Sequence, residues 1–453
     1  MGTTAWFGVW VMAALAGSLE DHPVTEFRYE GTLTPAGRKS DGIPVKRFTL
    51  DCFYFSQPAN AGKLAFLVEE EGGGGWAWPE RFGLLELNSQ HKATNRAQIR
   101  LLHTHDEVKY PIPLRQVIFE YTDKLKIGET WKDGSRKFEV LDQKKIGDRV
   151  CWRVRSIARI GRPRIVWVDV NQPVVVKLEE TVFMGRGDRF VLKMNLSSQK
   201  SADQVRRMKL ERPFNVLINL QSKLKRGDGN QKPELSKSQL NQSVAALKTL
   251  AGTADSTPLA HLVATVKSDV EKQLKREGSV ETLAKKFLGK PAPKFELKSL
   301  TGQPIRARER KGKIVVLHFW EYQGKPLVEP YGQVGYLDFL NGKRSKLGVK
   351  IYGVAVDSRL ARRSTTPEAL RSIRKLKSFM NLSYDVAIDD GTLLKKFGDP
   401  RTVGAKLPLW VVIGPDGKIE HYKAGFYKIR TDEGLRALDS ELIRLIRANR
   451  KSR

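Results

Sequence analysis

Residues 289–330 read GKPAPKFELKSLTGQPIRARERKGKIVVLHFWEYQGKPLVEP. Pro293, Phe295 and Leu297 set a short loop and strand pair, Thr301-Gly302 turns the chain, and 314–320 is an unbroken apolar run. Such a run, bounded by turn residues, predicts a strand covered on both faces, as in a parallel sheet with helices on each side. The chain beyond it agrees. A helix is expected through Tyr336, Leu337 and Leu340, then a parallel strand over 349–356 that ends at Asp357. Thr366-Pro367-Glu368 starts another helix, with Leu370, Ile373, Leu376 and Met380 on its buried face. Asp389-Asp390-Gly391 precedes a short helix over 393–397, and Pro408 leads into a strand over 409–413. The turn Pro415-Asp416-Gly417 makes a hairpin, and a last helix turns Leu435, Leu438, Leu442 and Leu445 inward.

The phrase order GKPAPxFxLxxLxGxxI, then GK and VVLHFW, resembles the redoxin branch of the thioredoxin-like superfamily. It is most similar to extracytoplasmic thiol-disulfide oxidoreductases of the TlpA and ResA kind. The resemblance covers 289–453 and implies an α/β thioredoxin-like fold. In that family the apolar strand ends in a phrase like FWATWCGPCREEMP, with two cysteines opening a helix. A thiolate there is stabilised by the helix N-terminus and attacks a disulfide, and the second thiol resolves the mixed species. Here the same place reads Phe319-Trp320-Glu321-Tyr322-Gln323-Gly324-Lys325-Pro326. Gln323 stands for the first cysteine and Pro326 for the second, so redox catalysis is not expected, and no catalytic residue is assigned. The family's cis-proline matches Pro408, preceded by Leu407. The resemblance then implies a groove of Glu321, Tyr322, Gln323, Leu407 and Pro408 that could still hold an extended peptide or protein. His318 is expected to be structural.

The chain's only cysteines are Cys52 and Cys151, 99 positions apart, which is neither a CxxC pair nor a zinc ribbon. They could form a structural disulfide if their strands are neighbours, or be two separate buried thiols. Net charge is +30, from 80 Lys and Arg against 50 Asp and Glu. That balance favours anionic surfaces, such as an anionic envelope polymer, without specifying a fold. Residues 5–16 are apolar and Ala14-Leu15-Ala16 supplies small residues, so 1–18 are expected to be a signal peptide with an uncharged n-region. The expected setting is periplasmic or secreted, and nucleic acid is then not an expected partner.

Residues 24–200 read as strands. Phe27, Tyr29, Gly31 and Leu33 alternate with polar residues, as do Phe48, Leu50, Cys52 and Tyr54. Further strands are expected over 64–68, 84–87, 117–121, 137–141, 149–157, 164–169, 174–181 and 189–195, in an antiparallel, strongly curved sheet. His103 and His105 would share one strand face, but a metal needs a further ligand that the sequence does not locate, so no metal is assigned. Arg186-Gly187-Asp188 is explained by a hairpin turn. Residues 201–288 read as a helical spacer: a basic connector over 201–213, a flexible linker over 227–233, and helices capped at Thr257-Pro258 and Ser279. The whole is an α+β multidomain chain with a curved antiparallel sheet domain, the spacer, and the α/β thioredoxin-like domain. No cofactor is expected. Of the functions open to it, a non-redox binding or scaffold module leads. A thiol-disulfide oxidoreductase using the remote cysteines and a basic protein that binds anionic polymers are the alternatives.

Overall fold

The computed structural model describes residues 23–37, 42–57, 61–71, 78–106, 108–158, 163–224, 235–305, 307–322, 333–427, 429 and 434–451. It divides into two compact units, one up to Glu271 and one from Lys272. The expected signal peptide and the linker over 227–233 lie outside the described residues.

The first unit is built on a ten-stranded sheet. Its strands are β1 (Val24–Pro35), β2 (Lys46–Ser56), β3 (Gly62–Glu70), β4 (Phe82–Leu87), β7 (Thr130–Asp133), β8 (Arg136–Ile146), β9 (Arg149–Ala158), β10 (Pro163–Asp169), β11 (Val175–Met184) and β12 (Asp188–Ala202). The order is β4-β3-β2-β1-β12-β11-β10-β9-β8-β7, antiparallel at each paired edge. A separate hairpin, β5 (Arg100–His105) and β6 (Val108–Pro113), lays Leu101 and Ile112 on the sheet's inner core. Tyr29 on β1 reaches past β12 to donate to the Val175 carbonyl on β11 at 2.8 Å. Glycines make room for aromatic rings on the sheet. A Cβ on Gly31 would stand 2.0 Å from the ring of Phe48, its partner across β2. Another on Gly83 would stand 2.5 Å from the ring of Phe66. Each aromatic ring covers a glycine that any side chain would displace.

Alternation along the strands sorts the side chains. Phe27, Tyr29, Leu50, Cys52, Val154 and Leu192 form the inner core. On the other face Val24, Phe53, Phe55 and Leu67 meet the helices α1 (Gln204–Lys223), α2 (Lys237–Leu250) and the first half of α3 (Ala260–Lys285). The burial of Phe53 and Phe55 on the opposite parity to Leu50 and Cys52 reflects this second layer. These helices pack on the sheet: Leu210, Phe214, Leu217, Leu240 and Val266 share one core with it. The connector over 201–213 is the start of the twenty-residue α1, whose N-terminus is capped by the Asp203 side chain. Ser279 is not a cap, because α3 runs through it; Gly278 and Ser279 weaken a helix without ending it when the flanking turns are packed. The strand expected over 117–121 reduces to a single bridge, Ile118 to Val174.

The possible Cys52–Cys151 disulfide is corrected: both are free, buried thiols. β2 and β9 lie five positions apart in the sheet order, and the side chains belong to different cores. Cys52 sits in the inner core, and Cys151 packs with Trp167 and Val176 on the opposite face.

The second unit has a seven-stranded sheet, order β14-β13-β17-β16-β15-β18-β19. Its elements are β13 (Leu297–Ser299), β14 (Pro304–Ile305), β15 (Ile314–Trp320), α4 (Val334–Arg344), β16 (Val349–Val356), α5 (Thr366–Phe379), β17 (Asp385–Asp389), α6 (Thr392–Lys396), β18 (Leu409–Ile413), β19 (Ile419–Ala424) and α7 (Arg436–Lys451). β15 is central and buried at every position. It pairs in parallel with β16 and antiparallel with β18. Ile314, Val316 and Trp320 face α4, α5 and α7, while Val315, Leu317 and Phe319 face α6 and the end of α3. The parallel strand β17 has no separate signal in the sequence, since Tyr384 to Asp389 is short and ends in the acidic pair read as a helix start.

Candidate functional site

The register of β15 with β18 places Phe319 opposite Leu409, so the chain leaving β15 at Glu321 and Tyr322 runs beside the segment Leu407-Pro408 entering β18. The Leu407–Pro408 peptide is cis. Gln323, Gly324, Lys325 and Pro326 lie outside the described residues. Glu321 and Tyr322 thus lie along the strand register beside Leu407 and Pro408, and Tyr322 also packs partly onto the helix-covered core.

Three neighbours escaped the sequence reading. Arg401 approaches Glu321 at 3.7 Å and is anchored at 2.8 Å by Asp399. Burial alone would raise the Asp399 carboxyl, but hydrogen bonds from the Arg401 side chain and backbone leave it below the usual carboxylate range. Gln333, the residue before α4, is the second. It has a left-handed backbone, φ 66°, and is fully buried. Its amide nitrogen donates to the Tyr427 carbonyl at 2.6 Å, and its amide oxygen accepts from the Tyr427 N–H at 2.9 Å. Tyr427 is the third. Its hydroxyl lies 2.6 Å from Nε2 of His421, and its ring packs edge-on against Trp410. Burial raises the Tyr427 phenol and lowers the His421 imidazole, so both are neutral near pH 7. None of the three belongs to a pattern of the sequence: Arg401 is defined by its contacts with Glu321 and Asp399, and Gln333 and Tyr427 by the chain after β19 meeting the start of α4.

Beneath this layer His318 lies flat on Trp410, ring centres 3.8 Å apart, with no exposure to solvent. It is packing, as the sequence suggested. The Trp410 indole donates to the Gly425 carbonyl at 3.1 Å, and the Gly425 N–H donates to the Pro408 carbonyl at 2.7 Å. The walls around the cis-proline are therefore fixed by backbone bonds and stacked rings. Residues 272–453 contain no cysteine, so this arrangement holds no thiol nucleophile.

The fold and this site define a thioredoxin-like domain. The AhpC/TSA family model matches residues 288–422. Thiol-disulfide oxidoreductase ResA of Bacillus cereus (strain ZK / E33L) is 31% identical over 132 residues, 29% of this chain and 66% of that protein. ResA of Bacillus anthracis is 30% identical over 133 residues, with the same coverage. The chain thus spans just under two thirds of the length of these curated relatives. Among solved structures, a putative thiol:disulfide interchange protein DsbE from Chlorobium tepidum aligns at 23% identity, TM-score 0.27, over 35% of this chain and 97% of that one. A secreted Mycobacterium tuberculosis disulfide oxidoreductase aligns at 18% identity, TM-score 0.25, over 33% and 96%. The C-terminal region is a redoxin domain of the TlpA/ResA-like type.

Proposed function

We propose that the chain is an exported protein whose redoxin domain binds an extended peptide or protein segment without exchanging disulfides. The observation that carries this reading is the placement of the thiols. The redoxin unit has no cysteine, and both cysteines of the chain are wholly enclosed in the cores of the other unit. Burial pushes the Cys52 thiol well above its ordinary range and the Cys151 thiol up to about 11, so neither offers a thiolate at neutral pH. What the groove retains is a rigid frame of backbone and rings lined by Glu321, Tyr322, Leu407 and Pro408. Such a frame suits main-chain pairing with an extended segment, with side-chain pockets for selectivity. Export rests on the apolar leader of the sequence; no helix among the described residues is long and apolar enough to cross a membrane.

The test is a paired one on the purified chain. Insulin reduction should stay at background, and peptides selected by phage display should lose binding in Leu407→Arg. Turnover that disappears in a Cys52→Ala, Cys151→Ala double variant would replace this reading with the oxidoreductase activity named for the ResA relatives. A third reading, attachment to anionic envelope polymers, is favoured by the +30 charge. It predicts polyanion binding that weakens steeply with salt, and salt-indifferent binding would remove it.

A further inference from the structure

Two sequence features that the function leaves unused meet in the first unit. β5 ends at His105, and the β5–β6 turn begins with Asp106 in a left-handed backbone, φ 49°. The β11–β12 turn, Gly185-Arg186-Gly187, delivers Asp188 to the same place. His105 Nε2 lies 2.7 Å from an Asp188 carboxylate oxygen and 3.7 Å from one of Asp106. All three donor atoms fall within 4.8 Å of one another. The geometry points to a binding site for one divalent transition-metal ion of the zinc class, held by His105, Asp106 and Asp188.

The distances suit such an ion. Bonds of about 2.0–2.2 Å in a tetrahedral site put donor atoms about 3.4 Å apart, between the two separations seen here. The imidazole selects a borderline metal over Ca²⁺ or Mg²⁺, which take oxygen ligands. The ligands are also supported. The His105 ring stands edge-on to the buried Phe190, centres 5.2 Å apart, which fixes its plane. Gly185 leaves the space open. A Cβ there would come within 3.1 Å of His105 Nε2 and 3.2 Å of the Asp188 carboxylate.

A second observation is independent of the carboxylates. His103 shares the face of β5 with His105, packs on the same Phe190 ring, and is 5% exposed. Its Nδ1 is buried with no hydrogen-bond partner. Buried ring nitrogens are seldom left orphaned, and a metal-bound water beside His105 would supply a partner. The ion would clamp the β5–β6 hairpin to the β11–β12 turn and leave a fourth position for water. Three protein ligands around an open position is the pattern of a reactive rather than a closed site.

Titration calorimetry with Zn²⁺ on the full chain, free of any affinity tag, tests this. One ion per chain is expected, with affinity reduced about tenfold or more in His105→Ala, Asp188→Asn and the turn variant Asp106→Asn. His261→Ala, which removes an exposed imidazole paired with Glu69, should bind as the wild type does. Zn²⁺ should also raise the thermal midpoint of the wild type but not of Asp106→Asn, whose exposed turn leaves the fold intact. Absence of uptake by the wild type in a large excess of Zn²⁺, or uptake unchanged in all three ligand variants, overturns the site and leaves a simple His–Asp ion pair.

Discussion

The two units of the chain hold their polar groups in different ways. The sheet unit buries whole charges in pairs. Lys46 and Glu70 meet at 3.1 Å with no exposure of either side chain, and Arg164 and Glu180 meet at 2.6 Å nearly as deep. At the redoxin site the charged contacts of Arg401 with Glu321 and Asp399 are partly exposed, and the buried groups are neutral: an amide, Gln333, bridging one peptide group of Tyr427, and rings packed from His318 to Trp410 to Tyr427. Cysteine follows the same division, present only in the sheet unit and buried there. The comparison teaches that a thioredoxin-like frame does not need its nucleophile. β15 to β19 and their helices are held by buried Val, Ile, Leu and aromatic side chains, so the loop's chemistry can change without loss of the scaffold.

The sharpest break of that comparison is Glu70→Ala. It leaves the Lys46 ammonium enclosed without its counter-ion and takes an acceptor from the Leu102 N–H. A loss of about 3–5 kcal/mol is expected in urea unfolding. Replacing both partners, Lys46→Met with Glu70→Leu, should recover most of that loss. In the redoxin unit, Asp385→Ala removes only a partly exposed partner of Lys350 and should cost about 1 kcal/mol or less. Equal losses for Glu70→Ala and Asp385→Ala would end the contrast between buried and solvated charge.

A smaller effect is expected at the site. Gln333→Ala removes both bonds to Tyr427 and leaves an N–H and a C=O in the core, at a cost of about 1–3 kcal/mol. If Gln333 sets the start of α4 for binding, the same variant also weakens the selected peptides, while its far-ultraviolet circular dichroism stays native. An unchanged peptide affinity would reduce Gln333 to a stability role.

The two units also differed in how far the sequence could be read. The redoxin unit was legible almost throughout, because a strand covered on both faces is a continuous apolar run, and 314–320, 349–356 and 409–413 are such runs. The positions of Glu321, Tyr322, Leu407 and Pro408 were legible, because they follow from the register of β15 with β18. Arg401, Gln333 and Tyr427 were not, since each gains its meaning from a partner distant in sequence. The sheet unit was read less well. The β5–β6 hairpin is interrupted by Pro111 and Pro113 and shows little alternation, and 117–121 alternates like a strand yet is used as a buried connection. Likewise, His105 and Asp188 stand 83 positions apart, and only the paired turns bring them together.

A similarly small effect at neutral pH belongs to the thiols. Cys52→Ala or Cys151→Ala deletes one buried sulfur from a packed layer and should cost about 1 kcal/mol, with no change in any binding by the redoxin unit. Ellman's reagent should find no reactive thiol in the native chain and two after unfolding. Alkaline pH then separates enclosure from simple distance. A thiol whose folded pKa is raised keeps its proton in the fold after the unfolded chain has lost it. Its contribution to stability is whole below an unfolded pKa of about 8.5. For Cys151 that contribution is lost as pH climbs toward the folded value of about 11. Over that window the wild type should lose more stability than the double alanine variant, measured as the difference in urea midpoint at each pH. Parallel pH profiles for the two would mean that the thiols are solvated in the folded chain, and sulfur would again be available to the groove.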